Sequence, residues 1–363
     1  MFNGFYQNKR VFLTGHTGFK GSWMAEWLLS LGAEVHGYAL DPQPHEILFD
    51  QLGLSRRLAS DTRADLADRV ALKKAFDDAQ PEIVFHLAAQ PLVRLSYDIP
   101  VETFATNVMG SAHLLDVVRI YARPCTVVCI TTDKCYENRE WLHAYREEDA
   151  MGGYDPYSAS KGAAELVISS YRRSYFPAGG RVRLASARAG NVIGGGDWAI
   201  DRIVPDCIRS LRSNTSIPVR NKIATRPWQH VLEPVGGYLA LGTNLAMTST
   251  PSTLASAFNF GPSLTSNRTV AQLVQELLRH IPGEWTDASD PNALHEASKL
   301  NLAIDKAFHL LQWQPVWNFE ETISQTASWY INEAKGNPSQ ELTLQQIKHY
   351  QKCASEAGMP WAR

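Results

Sequence analysis

No stretch of this sequence is apolar for long enough to suggest a membrane span; its hydrophobic runs stop well short of the roughly 18 residues such a span needs. The N-terminus, MFNGFYQNKRVFLTG, lacks the apolar core of a signal peptide ahead of its glycines. Paired cysteines are missing as well. The five present (Cys125, Cys129, Cys135, Cys207 and Cys353) are odd in number and include no CxxC pair. That argues against a disulfide framework and a zinc site, and favours a reducing compartment. Nor is there an excess of charge: 35 basic against 37 acidic residues leave a formal −2, with no long basic run to meet nucleic acid. Internal repeats and low-complexity segments are absent. The expectation is a soluble, cytoplasmic protein that binds no nucleic acid, no membrane and no metal.

What is present is an alternation of two periods. Short apolar runs at Val11–Leu13, Glu34–Tyr38, Ile83–Leu87, Thr126–Ile130 and Val182–Ala187 read as strands. Helical spacing separates them, at Ser22–Leu31, Val70–Ala79, Asn107–Tyr121 and Tyr157–Phe176, and Gly32 falls where a helix C-terminus belongs. Strands buried on both faces and alternating with helices predict an α/β fold, a doubly wound parallel sheet. After Ala187 the alternation loosens around Gly194–Gly196 and Pro205, Pro218, Pro227 and Pro234, with a helix predicted at Thr269–Leu278. A chain of 363 residues suits two lobes on one large core. A nucleotide-binding domain is expected over 1–186 and about 222–258, and a smaller interleaved substrate lobe over about 187–221 and 259–363. The polar tail from Asn337 is expected to form a surface helix.

The first strand runs straight into Thr14-Gly15-His16-Thr17-Gly18-Phe19-Lys20-Gly21-Ser22. The chain turns at Gly15, Gly18 leaves room for a pyrophosphate beside the backbone, and Gly21 lets the helix pack closely, so phosphates meet free N–H groups at a helix N-terminus. A glycine motif alone is a weak signal; strand, motif, helix and second strand in order make it a strong one. His16 and Lys20 add donors beside it. Asp41, slightly late after the second strand, is the candidate for the adenosine ribose, and with no arginine pair there for a 2′-phosphate the expected cofactor is NAD. Further along, Tyr157-Ser-Ala-Ser-Lys161 places a phenol and an ammonium on one helix face. The ammonium can lower the phenol's pKa from about 10, so that Tyr157 can take a proton from a hydroxyl.

The GxxGxxG spacing, with Tyr157 and Lys161 following a strand that ends in Thr131-Thr132, resembles the extended short-chain dehydrogenase/reductase family, whose fold is Rossmann-like. Within it, Thr14–Trp23, Thr131–Asn138, Asp155–Gly162 and Arg226-Pro-Trp-Gln-His-Val-Leu-Glu-Pro234 are similar to the CDP-glucose 4,6-dehydratase group. That likeness runs from about Lys9 to about Trp317. It implies Thr132, Asp133, Lys134, Tyr157 and Lys161 as catalytic residues. It implies Gly15, His16, Gly18, Phe19, Lys20, Gly21, Asp41, Asp65, Leu66, Ala88, Tyr157 and Lys161 as cofactor contacts, and Arg94, Ser96, Asn191, Arg202 and Arg226 as contacts of the sugar nucleotide.

The reaction so implied converts CDP-D-glucose to CDP-4-keto-6-deoxy-D-glucose and water, toward deoxysugars of O-antigen-type polysaccharides. Tyr157 is the base at the C4 hydroxyl, Asp133 the acid at the departing C6 hydroxyl, and NAD is restored in each cycle. Lys134 stands where related dehydratases carry glutamate. It acts either as a neutral base at C5 or as a cation beside the enolate. A homodimer through the helices 107–121 and 157–176 is also implied. Other readings are another nucleotide-sugar 4,6-dehydratase, a 4-epimerase, or a non-catalytic NAD-sensing protein on the same fold.

Overall fold

The computed structural model describes residues 1–44, 47–177, 179–289 and 299–363. Its centre is a seven-stranded sheet whose parallel strands we label β1 (Arg10–Thr14), β2 (Glu34–Ala39), β3 (Ser60–Arg63), β4 (Ile83–His86), β5 (Cys125–Ile130) and β6 (Val182–Ala189), with Ala257–Phe260 as the seventh. In space the order is Ala257–Phe260, β6, β5, β4, β1, β2, β3. Every residue of β4 and β5 is buried, which is why these strands read as unbroken apolar runs. The chain winds outward in both directions from the β1–β4 pair, and a crevice opens at the C-terminal ends of those strands, the usual ligand position in such sheets.

The five strands expected from periodicity are all found. The two that were missed lie at the sheet's edges. β3 reads Ser-Asp-Thr-Arg and has no fully buried position, so it carries no apolar signal. Ala257–Phe260 is fully buried but only four residues long. Among the described residues, three two-stranded sheets lie outside the main one. Arg226 is held there: Thr225–Pro227 pairs antiparallel with Asn267–Thr269, placing Arg226 opposite Arg268.

The helices confirm the spacing arguments, with local caps to explain their starts. Asp68 caps Arg69–Ala79 by accepting from Val70 and Ala71 N–H, and Asp155 caps Pro156–Ser174 through Ser158 N–H. Thr269 and Gln272 form a reciprocal capping box at Val270–Leu278. The C-terminal helix, Ser339–Glu356, exists as expected but is more than a surface element. Its Leu342, Ile347, Tyr350 and Ala354 form a buried stripe that docks beside α1 (Phe19–Ser30), with Tyr350 edge-on to Trp27 at 5.8 Å. Four apolar positions among many Gln, Lys and Glu suffice, because a helix needs only one covered face. Among the described residues no helix is long and apolar enough to cross a membrane.

Candidate active site

β1 hands the chain to the glycine turn. Gly15 has φ +73°, and a Cβ there would sit 2.6 Å from the Ala88 backbone nitrogen. A Cβ on Gly21 would lie 2.0 Å from the Gly15 carbonyl oxygen, so α1 approaches the turn more closely than any side chain allows. Gly18 differs: its only near atom is the Gly15 oxygen at 3.6 Å, which leaves open space on that side. Gly18 is also the N-cap of α1 and supplies no side-chain cap, so the first N–H groups of the helix remain for an anion. These observations fit a dinucleotide's phosphates.

The expected cofactor residues divide into two groups. Ala88 N–H donates to Thr14 Oγ1 at 3.2 Å and closes the turn, and Phe19 is buried at the start of α1. Asp65 is exposed, its carboxylate accepting Ala67 N–H at 2.8 Å, while its backbone carbonyl accepts from the buried Tyr38 hydroxyl at 2.7 Å and Leu66 packs on Gly110. His16, in contrast, swings under the loop. Its ring lies on the Gly37 backbone and its Nε2 is 2.8 Å from Asp61 Oδ1. Asp41 stands at the rim, its side chain 86% exposed and 3.5 Å from Arg63. Arg63 also chelates Asp61 and lies over the Phe49 ring at 4.6 Å. Burial pushes the Asp61 carboxyl up, but the hydrogen bonds from His16 and Arg63 outweigh it and hold the group down at about 2. Arg63 is thus already neutralised by carboxylates. Asp61 and Arg63 escaped the sequence reading because β3 itself did.

Lys20 reaches furthest from its expected place. Its ammonium lies 3.3 Å from the hydroxyl of Tyr238 and 5.5 Å from that ring's centre, inside the site. Burial, then the Arg202 and Lys161 charges, lower it to about 7, opposed by Asp133. Tyr238 is a second unforeseen neighbour, buried in the helix Leu232–Met247 within sensing distance of Asp133 and Tyr157. It lies in an apolar run that reads only as core.

The catalytic group assembles where β5 ends against the start of the helix Pro156–Ser174. Thr132 caps a short turn, Asp133–Cys135, accepting from Lys134 N–H at 3.3 Å and donating to Asp133 Oδ1 at 2.9 Å. Burial pushes the Tyr157 phenol well above its ordinary value, with the neighbouring Thr132 hydroxyl opposing. Lys161 is buried below it and lowered to about 8, by burial first and against the pull of Glu165. Asp133 is raised by burial, with Lys134 and Arg226 opposing. Its Oδ2 has no protein partner and points across Gly190, whose hypothetical Cβ would be 2.8 Å away. A phenol, a buried carboxyl and an enclosed ammonium thus face one space, which suits proton transfer at two different atoms of one substrate.

The sugar-nucleotide candidates surround that space unevenly. Arg202 acts electrostatically on Lys20 and Tyr157, and Arg226 on Asp133. Arg202 also pairs with Asp197 at 3.0 Å. Asn191 follows the last residue of β6 by two. Arg94 lies 3.9 Å from Asp201 at the rim. Ser96 is fully buried and supports the catalytic helix, its hydroxyl accepting Tyr157 N–H at 3.1 Å. Trp228 and His230 are core. Trp228 donates to the Arg268 carbonyl at 2.9 Å, and His230, pushed down to about 3 by burial, lies between Trp23 and Trp317.

Comparison with known proteins agrees with this geometry. Residues 12–326 match the family model described as GDP-mannose 4,6 dehydratase. The chain is 45% identical to the CDP-glucose 4,6-dehydratase of Salmonella typhimurium, over 95% of its own length and 97% of the relative's. It is 25% identical to that organism's dTDP-glucose 4,6-dehydratase, over 89% and 92%. Among solved structures, the Thermotoga maritima UDP-glucose 4-epimerase superposes with a TM-score of 0.75 at 21% identity, covering 89% of this chain and 99% of the other. The Bacillus anthracis dTDP-glucose 4,6-dehydratase, solved with NAD, gives 0.73 at 18% identity, covering 91% and 98%. At those identities the structures speak for the fold.

Proposed function

The chain belongs to the GDP-mannose 4,6 dehydratase family, and from that membership we propose that it is an NAD-dependent lyase converting CDP-D-glucose to CDP-4-keto-6-deoxy-D-glucose and water. The observation that carries the reading is the pairing of a relative named CDP-glucose 4,6-dehydratase, matched over nearly its full length, with Thr132-Asp133-Lys134 set against Tyr157 and Lys161. A 4-epimerase needs no acid for a departing hydroxyl, and a pure sensor needs no intact Thr132, Tyr157 and Lys161.

NAD fits the cradle of Gly15, Gly18, Gly21 and Ala88 and the uncapped start of α1, and when bound it takes and returns the substrate hydride. The protein's part is proton management. Tyr157, beside Thr132 and assisted by the Lys161 ammonium, removes the C4 hydroxyl proton. Asp133, whose carboxyl is pushed up by burial, is placed to donate a proton to the leaving C6 hydroxyl. Lys134, beside Asp133, serves the C5 position as neutral base or as cation. Asn191, Arg202 and Arg226 hold the diphosphate, for which guanidinium forks are suited.

The enzyme works in the cytoplasm as a homodimer. Support for pairing comes from the apolar side chains left exposed beside the expected helices: Val101, Met109 and Leu166, the last 62% exposed. The nucleotide-binding part takes 1–186 and about 222–258, and the sugar-nucleotide lobe the rest.

The experiment is incubation of purified protein with CDP-glucose, dTDP-glucose, UDP-glucose and GDP-mannose, with and without added NAD⁺, assaying for the 4-keto-6-deoxy product. Product from CDP-glucose is expected. No ketone from any of the four refutes the reading.

A further inference from the structure

Glu165 takes no part in the roles assigned so far, yet it is among the most completely satisfied charges in the molecule. It follows Lys161 by four residues, as Lys161 follows Tyr157, so the three share one helix face. The residue is 4% exposed. Its Oε1 accepts the Thr131 hydroxyl at 2.5 Å, and its Oε2 accepts the Ser186 hydroxyl and Arg188 Nη2, both at 2.9 Å. Arg188 continues the chain of contacts to the Tyr136 hydroxyl at 2.8 Å and the Glu147 carbonyl at 3.0 Å. Tyr136, just past the catalytic turn, donates to Asn259 at 2.7 Å. One carboxylate therefore joins the Tyr157 helix, β6 and Thr131, the residue that follows β5 and precedes Thr132 and Asp133.

Stability alone does not call for this arrangement, because a buried ion pair often contributes no more than a well-packed apolar pair of the same volume. Apolar packing would hold the helix on the sheet. It would neither fix the Thr131 hydroxyl nor place a negative charge beside Lys161. The charged and titratable groups around Glu165 are Arg188, Arg172, Lys161 and the thiols of Cys129 and Cys135; those around Lys161 are Glu165, the same two thiols, His86 and Lys20. Burial lowers the Lys161 ammonium, and Glu165 is the foremost group opposing that loss.

We propose that Glu165 is a positioning residue of this active site, locking Thr132 and Asp133 in register with Tyr157 through Thr131 and setting the countercharge behind Lys161. The inference rests on the dehydratase reading for its kinetic consequences only.

Glu165→Gln, Glu165→Asp and Thr131→Val in the full chain test it, each checked first by its thermal melt. Lys161 is titrated without substrate, by NMR of lysine labelled with ¹³C at the ε carbon, its signal assigned with Lys161→Arg. Glu165→Gln is expected to lower the Lys161 midpoint by about 1 pH unit or more, and Glu165→Asp to restore most of it. In turnover of CDP-glucose, Glu165→Gln narrows the pH profile of kcat from its basic side, because Lys161 deprotonates earlier and the phenol loses its ammonium there. kcat drops about tenfold or more at neutral pH with little change in KM. Thr131→Val lowers kcat without moving either limb. An unmoved Lys161 midpoint and an unmoved basic limb in a normally melting Glu165→Gln protein overturn the proposal. If that variant does not fold, wild-type kcat in both Glu165→Asp and Thr131→Val overturns it instead. A wild-type protein that makes no ketone, but whose Lys161 midpoint shifts with Glu165→Gln, sinks the dehydratase reading and leaves the electrostatic role of Glu165 standing.

Discussion

Glu233→Gln should alter how stability depends on pH while leaving the fold in place. Glu233 lies fully buried in the first turn of the helix Leu232–Met247. Its carboxylate accepts Val316 N–H at 3.0 Å, Trp317 N–H at 2.7 Å and the Tyr350 hydroxyl at 2.7 Å, clipping the C-terminal segments to the core. Burial pushes it up from 4.5 to about 7, against the pull of those three donors. The folded protein therefore holds this proton more tightly than the unfolded chain. The associated stability is fully present below about pH 4.5 and is lost as pH rises through about 7. At roughly 1.4 kcal/mol per pH unit, the gap corresponds to about 3 kcal/mol. Taking about 2.1 cal/mol/K of unfolding entropy per residue, a chain of this size changes Tm by about 4 °C. Glutamine keeps the shape, can accept the two backbone N–H groups, can donate to the Tyr350 oxygen, and does not titrate. Differential scanning calorimetry of both proteins from pH 4.5 to 8 at constant ionic strength cancels every other titrating group in the difference. The wild-type Tm should fall relative to Glu233→Gln by about 4 °C across that range. Parallel curves would show that Glu233 is ionised throughout, and the argument from burial would fail.

Three further outcomes concern the site. Tyr157→Phe should abolish ketone formation while NAD⁺ affinity by calorimetry changes little; near-normal turnover would remove Tyr157 from its assigned role. Asp133→Asn loses only the acid at C6, so NADH absorbance should build up on mixing with CDP-glucose while the 6-deoxy product forms about 10²–10⁴ times more slowly. An Asn variant slowed equally in both steps would contradict that division of labour. Gly15→Ala places a Cβ 2.6 Å from the Ala88 nitrogen at φ +73°, a strain of about 1–3 kcal/mol, and NAD⁺ binding should weaken by at least tenfold in the same titration. Unchanged affinity would mean that the turn does not shape the cofactor site.

Much of this was legible in the linear chain because it depends on local rules. Strands buried on both faces are rich in apolar residues, so β1, β2, β4, β5 and β6 announced themselves, and with them the parallel sheet. A turn that must approach a phosphate needs glycines at set intervals, and a phenol and ammonium sharing a helix face must be four residues apart; both constraints are written in Gly15–Gly21 and in Tyr157–Lys161. Edge strands escape such rules. β3 is polar because one side of it meets solvent, so its Asp61 and Arg63 remained hidden, and with them the direction in which His16 turns.

What only the tertiary structure decided is which charges meet across distant segments. Lys20 belongs by sequence to the phosphate loop, but its long side chain extends to Tyr238, a contact spanning 218 residues. Glu165 and Arg188, Glu233 and the Val316–Trp317 backbone, and Asp133 and Gly190 are likewise brought together by packing of the sheet, the helices and the C-terminal segments. No periodicity encodes those pairings. Nor does any local rule set the burial that lowers Lys161, raises Asp133 and Tyr157, and turns ordinary side chains into a proton-transfer site. Residue types and spacings named the chemistry; long-range enclosure in a low-dielectric interior determined which groups can perform it.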